Sequence, residues 1–374
     1  MDKQANNGTR QALPLPAADA TRYSADSLRR FTAEVFMRCG VPEDDARQAA
    51  DVLCTADERG ISSHGVARLR SYCDMILLGR INPEARPRAV RESASVAVID
   101  GDNGLGLVVA PKANRLAIEK AHEADTTWVS VFNSNHFGIA RYYAREGAAK
   151  DLIGWAATNT PALVSPLWGI GRRLGTNPLA VAIPAHSEPP VVIDLATSMI
   201  SLGIVENALR RQESLPPGCI ADPQGELSTD PAQVLAGGSL LPVGGDREHG
   251  GHKGYCLAAL IDILCGVLSG ASWGPFVPPF PHHLASPERQ VGEGIGHLFG
   301  MFRIGAFMEV AEFKRRVADW IRVMRATPAL PGTKGVQIPG DPERAAAASG
   351  IPLAKPVVQD LRLLAQQFRM RFEE

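Results

Sequence analysis

The segment Ser62–Arg68, with the sequence Ser-Ser-His-Gly-Val-Ala-Arg, combines a titratable imidazole with a permanently charged guanidinium. Apolar residues at helical spacing follow it, so Ser63 is predicted to cap a helix that carries His64 and Arg68 on one face. Arginine can hold a carboxylate through two parallel hydrogen bonds, and histidine can exchange a proton near neutral pH. The pair fits a small carboxylic acid with a reactive carbonyl or hydroxyl, although the pattern alone is more typical of a capped surface helix.

Two later positions could also carry chemistry. His136 follows a predicted strand and precedes a predicted helix, at the edge of an α/β sheet where ligands commonly bind. Gly138 allows a tight backbone turn beside it. Lys253 lies in a Gly-Gly-His-Lys-Gly run before an apolar helix, where free N–H groups and an ammonium could meet an anion. A hydrogen-bonded structural histidine and a solvated loop lysine remain the alternatives at these two positions.

The sequence lacks the usual nucleotide-binding motifs. Gly101, Gly104 and Gly106 lie between a predicted strand and a predicted helix, but their spacing differs from G-x-G-x-x-G. Pro111 marks the expected start of that helix, so the glycines predict a tight turn. Asp194 ends a further strand and is expected either to cap the next helix or to orient a catalytic imidazole.

The composition is that of an ordinary globular protein, with 45% hydrophobic and 21% charged residues among 374. A formal net charge of −1 gives no reason to expect nucleic acid or an anionic membrane as a partner. No apolar run could span a bilayer, and the polar first residues lack the apolar core of a signal peptide. The six cysteines form no C-x-x-C pair, which argues against zinc-finger and thioredoxin-like motifs. Without a signal peptide, we expect reduced thiols and a cytoplasmic location.

The periodicity of the apolar residues changes along the chain. Helices are expected near both ends, over residues 24–38 and 41–59, around His64, and near 341–349 and 357–368, where the last ones could pack on the first. Between them, short apolar strands alternate with helices, which indicates a largely buried α/β sheet. The nearly all-apolar segment 255–267 is expected to be a buried helix.

Five motifs occur in a fixed order along residues 24–345: Ser-His-Gly at 63–65 with Arg68, Asn-His-Phe-Gly at 135–138, Gly-Thr-Asn-Pro at 175–178, Asp-Leu-Ala-Thr-Ser at 194–198, and His-Lys-Gly-Tyr at 252–255. In this order they resemble the malate/L-lactate dehydrogenase family of the non-Rossmann type. That family includes malate, sulfolactate and ureidoglycolate dehydrogenases and the Δ1-piperideine-2-carboxylate reductases. Each motif alone is weak, whereas the ordered set is specific.

The resemblance implies a homodimeric oxidoreductase that uses NAD or NADP. It implies a non-Rossmann NAD(P)-binding α/β fold with a mixed central sheet and a helical domain built from both termini. We therefore predict a helical substrate and dimerisation domain from 23–92 with 305–374, and an α/β cofactor-binding domain over 93–304. The polar, Pro/Ala-rich composition of residues 1–22 predicts a disordered tail before them.

The resemblance also implies roles for individual residues. His136 would be the acid/base that exchanges a proton with the substrate oxygen, and Ser63, His64 and Arg68 would line the substrate pocket. The residues expected to contact the cofactor, or the substrate end of it, are Thr160, Asp194, Leu195, Ala196, Lys253, Gly340 and Asp341.

These inferences predict hydride transfer between NAD(P)H and a small 2-oxo acid or 2-hydroxy acid, malate-like or lactate-like. A close alternative is reduction of a cyclic imine carboxylate, such as Δ1-pyrroline- or Δ1-piperideine-2-carboxylate. A metal-dependent lyase or hydrolase could instead use His64, His136, His252 and Asp194 as ligands, and a non-catalytic binding protein is the third alternative. The sequence does not choose between NAD and NADP and assigns no role to the unusual His282-His283 pair.

Overall fold

A computed structural model describes residues 20–280, 287, 289–345 and 350–372. Most of the predicted N-terminal tail and the His282-His283 pair therefore lie outside the described residues. The helices are α1 (Ala25–Arg38), α2 (Glu43–Glu58), α3 (Leu69–Leu77), α4 (Gly106–Ala124), α5 (Ala140–Ala148), α6 (Leu202–Arg211), α7 (Ala232–Leu235), α8 (Gly251–Asp262), α9 (Val310–Arg325), α10 (Asp341–Ala345) and α11 (Lys355–Phe368). The strands are β1 (Ala20–Tyr23), β2 (Arg88–Glu92), β3 (Val96–Asp100), β4 (Thr126–Ser134), β5 (Leu152–Thr158), β6 (Leu179–Ile183), β7 (Val191–Leu195), β8 (Ile220–Ala221), β9 (Leu227–Ser228), β10 (Ser239–Leu240), β11 (Ile295–Arg303) and β12 (Ile351–Ala354).

The two ends of the chain pack into one helical layer, as predicted. Apolar faces of α1, α2, α3 and α11 share a core that includes Phe36, Leu53, Tyr72 and Leu364, all fully buried. Strand β1 pairs antiparallel with β12, which ties the N-terminus to the C-terminal segment. Residues 20–22, which the sequence places in the tail, belong to β1.

The central sheet is mixed, as predicted. It has seven strands in the order β2-β3-β4-β11-β5-β6-β7, and β3–β4 is its parallel pair. Helices α4 and α5 cover one face through small side chains such as Ala113, Ala117 and Ala144, which let the helices approach the strands closely. Strand β11 comes from far along the chain and lies between β4 and β5, antiparallel to both.

Helix α4 begins earlier than predicted, so the expectation of a start at Pro111 is wrong. The helix begins at Gly106, so Pro111 lies inside it, where its ring nitrogen has no hydrogen to donate to the carbonyl of Leu107. A Cβ at Gly106 would lie 2.1 Å from the carbonyl oxygen of Asn135. The glycine therefore allows the helix to begin directly against the loop that follows β4.

Helix α8 is not buried on all faces in the single chain, contrary to the prediction. It continues as a π-helical segment, Ile263–Val267. Leu260, Ile263 and Val267 on its outer face are 46%, 54% and 53% exposed. Buried residues such as Ile261 and Cys265 pack on the sheet from the opposite face of the helix.

Helix α9 packs against the β7 edge of the sheet, where Ile321 contacts the cluster that contains Val191 and Ile338. By contrast, α11 packs with α1 and α3. The C-terminal segment thus contacts both layers, and the proposed domain boundaries stay a prediction. Within the described residues, no helix combines the length and apolarity needed to cross a membrane.

Candidate active site

His136 lies in the loop between β4 and α5, at the end of the strand where the sequence places it. Gly138 takes a φ of +82°, which turns the chain sharply after the histidine. The side-chain amide of Asn135 donates to the carbonyl of Gly104 over 2.9 Å, and the Tyr143 hydroxyl donates to the carbonyl of Phe137. These contacts fix the backbone on both sides of the imidazole.

The imidazole of His136 is held from the helical layer by Tyr72 of α3. The Tyr72 hydroxyl lies 2.6 Å from His136 Nδ1, and the tyrosine is fully buried. Phe280 stacks on the imidazole with the ring centroids 4.7 Å apart. Because Nδ1 is occupied, Nε2 is the nitrogen without a hydrogen-bond partner among the described residues. Nε2 is therefore the atom available to a substrate.

The Ser62–Arg68 segment faces this loop, but it is not the start of an α-helix. Ser62–His64 and Val66–Arg68 are single 3₁₀ turns, and α3 begins only at Leu69. The prediction that Ser63 caps the helix is therefore wrong, as is the prediction that His64 and Arg68 share an α-helical face. The Ser63 hydroxyl instead lies 2.9 Å from His64 Nδ1.

Asp57 of α2 explains this local geometry. Its buried carboxylate accepts the Val66 N–H over 2.7 Å and so caps the second turn. A Cβ at Gly65 would lie 2.1 Å from the carboxylate, so the glycine of the Ser-His-Gly motif provides the space. Burial raises the pKa of Asp57 to about 7.

His64, Arg68 and His136 form one half-buried wall. The imidazoles of His64 and His136 stack with centroids 5.6 Å apart. Arg68 Nε donates to the carbonyl of Ser63 over 2.7 Å, and its terminal nitrogens have no partner among the described residues. A guanidinium held in this way can offer its outer edge to a carboxylate.

Both imidazoles of the wall are neutral near pH 7. Burial, together with the charge of Arg68, lowers the pKa of His64 to about 4. Burial also lowers the pKa of His136 well below its usual value of 6.5, with contributions from His64, Arg68 and His297. A bound carboxylate would offset the charge of Arg68, and the imidazolium would then form more easily.

The predicted cofactor residues are connected by backbone and side-chain hydrogen bonds. The Thr160 hydroxyl lies 3.3 Å from that of Thr176, whose carbonyl accepts the Thr197 N–H over 2.9 Å. The Val243 N–H donates to Thr197, and Val243 packs against Gly254, next to Lys253. This chain of contacts links Thr160, the segment after Asp194 and the first turn of α8.

Asp194 neither caps a helix nor touches an imidazole, so both expectations for it are wrong. Its Oδ2 lies 3.2 Å from Nε of Arg141, a buried residue of α5. Glu343 of α10 lies 3.3 Å from Nη1 of the same guanidinium. Burial, together with the charge of Glu343, raises the pKa of Asp194 to about 6 despite the attraction of Arg141.

The remaining predicted positions border this group. Leu195 and Ala196 follow Asp194 at the end of β7 and are partly exposed. Gly340 and Asp341 come directly after Pro339, whose carbonyl accepts the Val192 N–H of β7 over 2.9 Å. Lys253 is exposed on the first turn of α8 and has no side-chain partner among the described residues.

A metal centre receives no support from the described part of the chain, where no three His, Cys, Asp or Glu side chains converge as ligands. Of the four ligands considered, His252 contacts Arg247 and Asp194 contacts Arg141, whereas His64 and His136 stack on each other.

Sequence reasoning missed Tyr72, Phe280, Asp57 and Arg141. Tyr72 lies within an apolar helical run and reads as a core residue, although its spacing of four residues from Arg68 was a usable signal. Phe280 and Arg141 approach the site through long-range packing, for which a single sequence carries no signal.

The chain is similar to known dehydrogenases over most of its length. The family model described as malate/L-lactate dehydrogenase matches residues 23–362. The malate dehydrogenase of Pyrococcus abyssi is 40% identical over 351 residues, which cover 92% of this chain and 94% of that protein. The L-sulfolactate dehydrogenase of Methanocaldococcus jannaschii is 36% identical, covering 93% of this chain and 98% of the relative.

Solved structures agree with this assignment. The malate dehydrogenase of Pyrococcus horikoshii superposes with a TM-score of 0.86 at 36% identity, covering 95% of this chain and 97% of the other. The fold expected from the sequence is thus confirmed, and the family implies a nicotinamide cofactor. The chain belongs to the malate/L-lactate dehydrogenase family and is an oxidoreductase of the 2-hydroxyacid dehydrogenase kind.

Proposed function

We propose that the protein interconverts a small 2-hydroxy acid and its 2-oxo acid, with His136 as the acid/base and Arg68 as the carboxylate-binding residue. The observation that carries the proposal is the half-buried wall of His64, Arg68 and His136, with Nε2 and the guanidinium edge left open. The named relatives act on malate and sulfolactate, 2-hydroxy acids with a second acidic group, which favours a substrate of that class.

The chemistry needs few groups from the chain. In oxidation, neutral His136 takes the hydroxyl proton at Nε2, while Tyr72 holds Nδ1 and fixes the ring. In reduction, the imidazolium returns the proton to the developing alkoxide. Arg68 orients the substrate carboxylate. Ser63 and His64 contact either the reacting oxygen of the substrate or a second polar group on it. The nicotinamide, when bound, supplies or accepts the hydride.

The residues around β7 and α8 fit such a cofactor. Lys253 offers an ammonium that no side chain in the described part of the chain contacts, beside the amides of the first turn of α8, which is a favourable place for a phosphate. Glu343 Oε2 is buried without a hydrogen-bond partner among the described residues, so it is free to accept a hydrogen bond from a sugar hydroxyl of the cofactor. We infer that Thr160, Asp194, Lys253 and Gly340 border this site, and that it takes NAD or NADP.

We further propose a homodimer in which the outer face of α8 is the interface. Leu260, Ile263 and Val267 lie on this face, and the half-buried Trp128 and Trp155 extend it over the sheet. The indole N–H of Trp155 is buried without a partner among the described residues, as expected for a surface that a second copy completes. An apolar face of this kind is characteristic of obligate subunit contacts.

Replacing His136 with Ala should lower the turnover of malate and sulfolactate oxidation by about 10²–10⁴-fold, because positioned acid/base catalysis is lost. The absorbance of the reduced nicotinamide would follow wild type and variant on malate, sulfolactate, lactate and a cyclic imine carboxylate, each with both cofactors. Cofactor affinity should be retained. Near-normal turnover of the 2-hydroxy acids by the variant would contradict the role of His136, and activity confined to the imine would favour the reductase alternative.

Arg68→Lys and Arg68→Gln separate the hydrogen-bonding geometry of the guanidinium from its positive charge. Both should raise KM by about 10–100-fold, since the charge-assisted hydrogen bonds of the fork are lost. Only Arg68→Gln removes the positive charge, so the pKa of His136 rises and the acid limb of kcat/KM for oxidation moves to higher pH. Unchanged KM in both variants, or an unmoved limb in Arg68→Gln, would contradict this electrostatic account.

Leu260→Glu should convert the dimer into a monomer, because it places a charge in the apolar interface. Light scattering after gel filtration should give twice the 40.0 kDa chain mass for wild type and the single-chain mass for the variant. Leu363→Glu is the matched control, since Leu363 on α11 is 44% exposed against 46% for Leu260. A monomeric wild type, or a Leu260→Glu variant that stays dimeric, would refute the interface.

A further inference from the structure

A cavity of about 240 Å³ lies between the C-terminal end of α2 and helix α5, and the hydride-transfer proposal does not use it. Six residues line it: Thr55, Arg59, Arg141, Tyr142, Arg145 and Glu146. The share of liquid volume for one water is about 30 Å³, so the cavity has room for a small polyatomic ion.

The lining is strongly positive. Three of the six side chains are guanidinium groups, and Glu146 is the carboxyl among them. Burial raises the pKa of Glu146, and the carboxyl accepts a hydrogen bond from the side-chain amide of Asn114 over 2.7 Å.

Arg59 and Arg145 have ordinary local reasons for their positions. Arg59 is the C-cap residue of α2, and Arg145 lies in the last turn of α5, where the helix dipole favours a cation. Arg59 forms no ion pair or side-chain hydrogen bond within the part of the chain that the structure describes.

Arg141 has no such reason, because it lies on the first turn of α5, where the helix dipole disfavours a cation. Only 4% of its side chain is exposed. Nε and Nη1 face Asp194 and Glu343 at 3.2 and 3.3 Å, but neither nitrogen is aligned for a hydrogen bond. Among the described residues, Nη2 has no partner either. The guanidinium is thus buried and under-bonded at the wall of the cavity.

We propose that this cavity binds a phosphoryl group. Arginines approaching from two helices suit a tetrahedral oxyanion with several acceptor oxygens better than a planar carboxylate. The Thr55 hydroxyl adds a neutral donor. Two sources share this chemistry: free phosphate, and a phosphoryl group of the nicotinamide cofactor.

Calorimetric titration of the full chain with orthophosphate and pyrophosphate tests the proposal without any turnover, so its result is separate from the assignment of the reaction. Wild type should show saturable binding. Arg59→Gln and Arg145→Gln should each weaken it by about 10–100-fold, because each removes charge-assisted hydrogen bonds. Arg47→Gln, an exposed α2 arginine paired with Glu43, is the matched control and should bind like wild type.

Repeating the titration with saturating NADH or NADPH distinguishes the two sources. Displacement of phosphate by a cofactor, together with weaker cofactor binding in Arg59→Gln, identifies a cofactor phosphoryl group. Unchanged phosphate binding in the presence of both cofactors identifies free phosphate. Absence of saturable binding to wild type, or equal affinity in Arg59→Gln, Arg145→Gln and Arg47→Gln, would overturn the proposal.

Discussion

The hydrogen bond between the Tyr72 hydroxyl and His136 Nδ1, 2.6 Å long, is the contact on which the proposed chemistry depends. It joins the helical layer to the loop after β4, because Tyr72 belongs to α3 and His136 to the α/β part of the chain. The same helix follows the two turns that carry His64 and Arg68. One buried tyrosine therefore sets the position of His136, the proposed acid/base, relative to His64 and Arg68.

The electrostatics of the wall follow from its partial burial. Two imidazoles and one guanidinium lie together. Burial disfavours the charged forms of His64 and His136, and the charge of Arg68 adds to that effect, so both imidazoles are neutral near pH 7. In the proposed reaction, a substrate carboxylate bound to Arg68 would offset its charge, and His136 would then accept a proton more easily. Under this proposal, substrate binding and proton transfer are coupled through charge.

Much of the fold could be predicted, because local sequence patterns indicate where most of its strands and helices lie. Strands β6 and β7 and the His136 loop follow directly from short apolar runs and turn residues. The insertion of β11 between β4 and β5 depends on long-range pairing, which no local pattern encodes. The early start of α4 depends on Gly106, whose missing Cβ lets the helix approach a loop 29 residues later in the chain.

In the candidate site, too, local patterns predict some features, whereas others depend on long-range contacts. His136 could be found from its position after a strand, whereas the shape of the Ser62–Arg68 segment could not. The capping residue and the apolar spacing predict an α-helix there. Instead, the buried carboxylate of Asp57 accepts the N–H of Val66, and the segment forms two short 3₁₀ turns. Arg141 likewise becomes visible only when α5, β7 and α10 are brought together.

The most direct test of the account is the steady-state kinetics of Tyr72→Phe, which removes the hydroxyl and retains the ring in the core. Loss of the bond to His136 should lower kcat by about 10–100-fold, with the KM of the 2-hydroxy acid and the Kd of the cofactor close to wild type. A Tyr72→Phe enzyme with unchanged kcat would contradict the claim that this contact positions the catalytic imidazole.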